Sequence, residues 1–207
     1  ELLDDHADFN RLVSEERVKH ILHYADFYGC DQGRIKGLVF CSRLEEAEAL
    51  CDAFNKYGKR SACMSGATNE GERKNLIDRL ELDDYNNPTA LDYLFSVDVL
   101  NEGVDIPSVN QIIMLRPTAS AIVFVQQLGR GLRKSKDKRY LEVIDFIGNY
   151  DNNYLLPIAL YGDRTYKKEH VRRTMQNNYL PGASTVYFED VIKERIFKKL
   201  NTTNLKT

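Results

Sequence analysis

Two arginines lie three positions apart in a glycine-containing segment, Gln126-Gln-Leu-Gly-Arg-Gly-Leu-Arg133. A guanidinium group stays charged and forks onto phosphate oxygens. At the end of a helix, Arg130 and Arg133 would project to the same side. They would therefore suit a transition state that accumulates negative charge. An ordinary basic helix end beside a lysine-rich loop would contain the same residues, so the segment alone leaves both interpretations open.

A second candidate segment lies about twenty residues upstream, Asn101-Glu-Gly-Val-Asp-Ile-Pro107. It follows an apolar run that ends at Val97 and Asp98, which we interpret as a buried strand. Loops at the carboxyl ends of strands are where α/β sheets place ligand contacts. Gly103 and Asp105 are therefore candidates for such a contact, and a plain turn with a solvated aspartate is the alternative.

Composition places the chain among ordinary globular proteins. Its 207 residues carry 29 basic and 31 acidic side chains, and 43% are hydrophobic. This length predicts one full lobe with a remainder. No run of 18 apolar residues occurs and the amino terminus lacks the features of a signal peptide, so we expect a cytoplasmic chain with no membrane partner. Because the chain starts at Glu1 rather than Met, we also expect a piece of a longer protein.

The near-zero net charge hides an uneven distribution. Residues 116–139 carry seven bases and one acid, a local charge of +6, whereas residues 1–31 carry eight acids and three bases. The basic segment could bind an anion or could form a solvated surface.

Possible metal ligands are sparse. The four cysteines form no CxxC pair and are interpreted as reduced thiols. His20 and His23 have no matching ligand set, so they are interpreted as surface residues.

Strand and helix patterns alternate through most of the chain, which indicates a parallel α/β sheet with helices on both faces. Ser14 is predicted to start a helix, and Ser42 and Glu45 are predicted to form a capping box for another. The predicted strands are 37–42, 61–64, 91–97, 111–115 and 140–147; the predicted helices include 118–128 and 188–200. We divide the chain into a helical lead-in (1–34), an α/β lobe (35–162) and a basic, partly helical extension (163–207).

Four motifs in order resemble those of the second RecA-like lobe of superfamily 2 helicases and translocases. Leu38–Arg43 resembles motif IV, and Ser65-Gly-Ala-Thr68 through Arg73 resembles the short motif that follows it. Residues 98–107 resemble motif V, and 126–133 resemble motif VI. The resemblance covers about residues 35–150 and implies the P-loop NTPase fold without a P-loop of its own.

The resemblance also implies roles for individual residues. Arg130 and Arg133 would be arginine fingers that reach the γ-phosphate of ATP held by the first lobe. The remaining residues divide into a nucleotide-facing group and a group that contacts nucleic-acid phosphates. The first comprises Gly103, Asp105, Gln126 and Gly129, and the second comprises Ser42, Arg43 and Thr68.

Departures from the pattern bear on the substrate. The motif VI segment begins Gln-Gln rather than His-Arg, and Val97 stands where RNA-remodelling relatives often have Thr. No strand contact is therefore expected at Val97. The Arg116-Pro-Thr-Ala-Ser120 segment that leads into 126–133, and residues 140–163, resemble DNA-acting relatives such as restriction-enzyme and excision-repair translocases, so DNA is favoured over RNA. An RNA-remodelling lobe and a non-catalytic nucleic-acid-binding module remain alternatives.

Half of an ATPase site is missing from the sequence. There is no GxxxxGK[ST] phosphate loop, and no Asp-Glu pair follows an apolar strand to hold Mg²⁺. ATP and Mg²⁺ are therefore expected to bind with the amino-terminal RecA-like lobe of the parent chain, and this chain alone should be inactive.

Overall fold

The computed structural model describes residues 13–31, 33–84, 86–97, 106–116, 138–146, 167–177, 187 and 189–202. Within them lie five strands: β1 (Gly37–Phe40), β2 (Ser61–Met64), β3 (Tyr93–Ser96), β4 (Gln111–Met114) and β5 (Glu142–Asp145). They form one sheet in the order β2-β3-β1-β4-β5, and every neighbouring pair is parallel. The predicted α/β class and parallel sheet are confirmed.

Three helices cover this sheet: α1 (Glu15–Tyr28), α2 (Leu44–Lys56) and α3 (Glu70–Glu81). α1 follows its sequence pattern closely. The Ser14 hydroxyl accepts a hydrogen bond from the Arg17 amide, and Gly29 ends the helix with a φ of 60°. That positive φ is accessible to glycine at little cost. The predicted start and end of this helix are thereby confirmed.

The capping box predicted at Ser42 and Glu45 is wrong. The residue at the N-cap of α2 is Arg43, whose side chain makes no capping hydrogen bond. The acid that reaches back is Glu46, which is fully buried and accepts the Ser42 amide. The pattern misled because two adjacent acids in the first turn suit the helix dipole equally well, and burial selected the second.

α1 and α2 pack on one face of the sheet, and α3 packs on the other. α1 and α2 share one apolar cluster with strand residues such as Val39, Phe95 and Ile113. Alternate strand residues point to the other face, where Leu38 and Leu94 are buried outside that cluster. α3 contacts β2 and β3 and buries Leu76 and Leu80, which also lie outside the cluster.

Buried polar side chains tie the helix ends to the sheet. Arg34 donates to the carbonyl oxygens of Leu80 and Leu82 at the end of α3, at 2.6 Å each. Gln111, the first residue of β4, donates to the carbonyls of Ala25 and Gly29 at the end of α1. Since the last carbonyls of a helix are short of partners within it, these side chains add hydrogen bonds there; the Ala25 carbonyl also accepts the Gly29 amide.

A second compact unit contains α4 (Lys168–Asn177) and α5 (Asp190–Thr202), which contact each other. Val171 and Met175 of α4 and Ile196 and Leu200 of α5 are buried. The helix predicted at 188–200 is confirmed with small changes at its ends, whereas α4 was covered only by the general prediction of a partly helical extension. The domain boundary predicted at residue 162 falls outside the described residues and stays a prediction.

The four cysteines are free thiols. Burial raises the pKa of Cys51 to about 12 and that of Cys63 to about 11. These two thiols are therefore poor nucleophiles at neutral pH. Among the described residues, no helix combines the length and apolar character that a membrane span requires.

Candidate nucleic-acid interface

The carboxyl edge of the sheet brings together three of the predicted segments. Because all strands are parallel, the residues that follow them emerge at the same edge. Ser42 and Arg43 follow β1, Ser65–Thr68 follows β2, and Arg116 follows β4. The Ser65–Thr68 turn and the Ser42–Arg43 turn lie on strands separated only by β3, so one extended ligand can contact both.

Ser42 and Arg43 form the turn that leads from β1 into α2. Both are exposed. The Ser42 amide is already committed, since it donates to Glu46 Oε2 at 3.1 Å. A phosphate at this turn would therefore meet the Ser42 hydroxyl and the Arg43 side chain, and the Ser42 amide would not be available to it.

The turn after β2 is organised by its own hydrogen bonds. The amide of Ser65 donates to Thr68 Oγ1 at 3.0 Å, and the amide of Thr68 donates to the Ser65 carbonyl at 3.1 Å. Arg73 of α3 donates to the Thr68 carbonyl at 2.7 Å and to the Gly66 carbonyl at 3.2 Å. Thr68 is half-buried and Gly66 is exposed. Arg73 therefore holds the turn from the side of α3, and the exposed Gly66 and Ala67 form its solvent-facing side.

Charged groups surround the end of β1. Burial strongly raises the pKa of the Cys41 thiol, and the charges that act on that thiol include Glu46, Arg17 and Arg116. Arg17 is paired with Glu46, so Arg43 and Arg116 are the cations that this part of the edge adds beyond that pair. A basic edge favours a phosphate ligand.

Two members of the basic segment 116–139 are used in holding the fold together. Lys138 donates to the carbonyl oxygens of Pro107 and Val109. Arg139 binds the Asp31 carboxylate through both its amide and its side chain, and the amide hydrogen bond is the main reason why the pKa of Asp31 lies below its usual value. The charge of this segment that is available to a ligand is therefore smaller than the sequence suggests.

The remaining predicted site residues lie outside the described part of the chain. They are Arg130 and Arg133 and the four nucleotide-facing candidates, Gly103, Asp105, Gln126 and Gly129. Their roles stay predictions, as does the predicted helix at 118–128. Within the described residues, no three His, Cys, Asp or Glu side chains come together as a metal site. The described residues therefore provide no cluster of ligands for Mg²⁺.

Sequence reasoning missed two residues that hold the interface together, Glu46 and Arg17. An acid in the first turn of a helix is usually solvated and favours the helix dipole without a specific partner, so Glu46 carried no distinguishing signal. Arg17 lies 29 residues away and its pairing with Glu46 depends on how α1 packs against α2. Arg73, in contrast, belonged to the motif that contains Thr68.

A parallel sheet with helices on both faces and with the predicted motif residues in turns at its carboxyl edge is the arrangement expected of the second RecA-like lobe of a superfamily 2 helicase. The chain belongs to the helicase conserved C-terminal domain family, whose profile matches residues 16–135. This match begins within α1 and contains all the predicted motifs.

Individual proteins agree with this placement. The chain is 31% identical over 191 residues to IRC3 of Saccharomyces cerevisiae, which is named as an ATP-dependent helicase; the match covers 92% of this chain and 27% of IRC3. It is 26% identical over 162 residues to the ATP-dependent RNA helicase SrmB of Haemophilus influenzae, covering 78% of this chain and 33% of SrmB. The chain thus spans about a third or less of the length of these relatives.

A solved structure shows the same fold. A fragment assigned to the HsdR subunit of a type I restriction enzyme from Vibrio vulnificus superposes with a TM-score of 0.53. The two chains are 22% identical, and the superposition covers 73% of this chain and 30% of the fragment. The RecA-like fold predicted from the motifs is confirmed.

Proposed function

We propose that this chain is the second motor lobe of an ATP-dependent helicase or translocase that moves along a DNA strand. The observation that carries the proposal is the arrangement of Ser42–Arg43 and Ser65–Thr68 as two preformed turns at one basic edge of the sheet. Each turn is fixed by a hydrogen bond to a helix side chain: Glu46 accepts the Ser42 amide in the first, and Arg73 donates to the Thr68 carbonyl in the second. Such turns can grip successive phosphates of a single strand.

The ATP site would be shared with the first lobe of the parent chain. ATP would bind the phosphate loop of that lobe, and Arg130 and Arg133 would reach its γ-phosphate as the cleft closes. Gly103, Asp105, Gln126 and Gly129 would face the same cleft. Arginine fingers of this kind raise the rate of phosphoryl transfer by about 10³-fold or more. Closing and reopening the cleft once per ATP would then shift the grip of the two turns along the strand.

DNA is preferred to RNA on the strength of the motif VI departure and of the Arg116-Pro-Thr-Ala-Ser120 segment that precedes it. The relative named as an RNA helicase keeps the RNA-remodelling lobe as the second candidate. Measuring the parent's ATPase with DNA and with RNA distinguishes the two candidate functions, because ATP hydrolysis should be stimulated more strongly by the nucleic acid on which the enzyme acts.

The strand contact can be tested by measuring the affinity of the full-length parent for single-stranded DNA and RNA of equal length across a series of salt concentrations. Arg43→Ala should weaken binding and reduce the slope of log affinity against log salt by about 0.7, the value for one phosphate contact on a single strand. Lys56→Ala removes the same charge from the exposed far end of α2 and should leave the slope unchanged. An unchanged slope for Arg43→Ala would show that this turn does not contact the strand.

A further inference from the structure

Glu46 is a fully buried carboxylate at the amino terminus of α2. Oε2 accepts the Ser42 amide at 3.1 Å, and Oε1 accepts Arg17 Nη1 at 3.2 Å. In a capping box, the acid in the first turn bonds the amide of the N-cap residue. Glu46 reaches one residue further, past the N-cap Arg43. It therefore fixes the backbone of the turn that carries the proposed strand contact.

The charge of Glu46 requires a partner. A buried carboxylate without one is strongly destabilising. At this position it would also repel a phosphate that approaches Ser42. Arg17 supplies the opposite charge from α1, with 22% of its side chain exposed. The ion pair therefore keeps the carboxylate in place and cancels its repulsion toward the strand.

α1 has other attachments to the same part of the fold that do not involve the turn. The Tyr57 hydroxyl at the end of α2 donates to Glu15 at 3.1 Å. Glu15 lies two residues before Arg17, so the Tyr57 hydrogen bond holds the same turn of α1. This contact allows the docking of α1 to be separated experimentally from the positioning of Ser42.

We propose that Arg17 and Glu46 are positioning residues for nucleic-acid binding, which together hold the Ser42–Arg43 turn in the geometry that accepts a strand phosphate. The proposal rests on the proposed strand contact of that turn. It assigns α1, which precedes the motifs, a part in strand affinity that does not require α1 to touch the strand.

The test uses the full-length parent and a single-stranded DNA oligonucleotide as the stimulant of ATP hydrolysis. Arg17→Ala and Glu46→Gln should each raise the half-saturating DNA concentration about tenfold, the equivalent of about 1.4 kcal/mol. The maximal rate at saturating DNA should stay unchanged, because the turn still binds once enough strand is present. Arg17→Lys keeps the charge and should restore the half-saturating concentration to within about threefold of the original.

Tyr57→Phe is the matched control, and it should leave the half-saturating concentration unchanged. A lower maximal rate with an unchanged half-saturating concentration in Arg17→Ala would overturn the proposal, since that is the result of general loosening of the lobe. Arg43→Ala, measured in parallel, identifies which inference fails. If Arg43→Ala weakens binding while Arg17→Ala and Glu46→Gln do not, the positioning role is wrong and the strand contact stands. If none of the three weakens binding, the strand contact is wrong and the positioning role falls with it.

Discussion

At the scale of single residues, charged side chains that are buried or half-buried in the described part of the lobe have several hydrogen-bond or ion-pair partners. Asp92, just before β3, is the clearest case. It accepts Arg60 Nη2 at 2.8 Å and Arg34 Nη1 at 3.3 Å, and its side chain is only 14% exposed. Burial by itself would raise the pKa of Asp92. The hydrogen bonds from Arg60 and the charges of both arginines outweigh burial and hold that pKa below its usual value.

Asp92→Asn should lower the free energy of unfolding by about 2–4 kcal/mol at neutral pH, because it leaves two arginines without their carboxylate. Since the pKa of Asp92 is lowered in the folded state, its contribution is complete above pH ~4 and is lost as the pH falls through the folded-state pKa. Denaturant unfolding between pH 7 and pH 3 should therefore show a smaller loss of stability on acidification in the variant. Asp83→Asn, which removes the exposed partner of Lys36, should cost less than about 1 kcal/mol. Equal effects of the two changes would contradict this account.

At the scale of elements, the sheet is built from four-residue strands, and the packing at the start of β1 leaves no room for an added side-chain atom. A Cβ on Gly37, the first residue of β1, would lie 2.3 Å from Cδ1 of the buried Tyr93 ring. That ring is fixed by its hydroxyl, which donates to Gln111 at 2.8 Å. The start of the central strand therefore requires glycine for space.

Gly37→Ala should lower the stability of the lobe by about 1–3 kcal/mol, the usual cost of overpacking. The thermal unfolding midpoint measures this loss. Gly66→Ala serves as the control, because a Cβ there meets no atom within 4 Å and the backbone φ is not positive. A midpoint that is equally low for both variants would show that the Tyr93 ring yields and that close packing does not explain Gly37.

Sequence patterns were sufficient for the elements whose signals are local. The four buried residues of α1, its capping serine and its terminal glycine follow from spacing and residue type alone. β2 was predicted with its exact bounds, and the other four strands were correctly located but predicted one to four residues too long, because apolar residues flank the hydrogen-bonded part of each strand. The pairing of Glu46 with Arg17 and of Arg139 with Asp31 could not be predicted, since each depends on how separate elements pack.

At the scale of the whole molecule, the chain belongs to the helicase C-terminal domain family and contains a second compact unit. The described helices of that second unit, α4 and α5, have a small apolar contact and many basic side chains. Without a phosphate loop, the isolated chain should show no ATP turnover above background in a phosphate-release assay. Its strand binding should weaken as salt rises. Robust hydrolysis by the isolated chain would contradict the half-site interpretation.

In the proposed mechanism this lobe completes an ATP site built by another lobe, and substitution of the two proposed arginine fingers is the sharpest test of it. In the full-length parent, ATP binding and strand-stimulated hydrolysis should be measured side by side for Arg130→Ala and Arg133→Ala. Hydrolysis is expected to fall by about 10³-fold while the ATP dissociation constant changes by less than about tenfold. Normal turnover in both variants would contradict it.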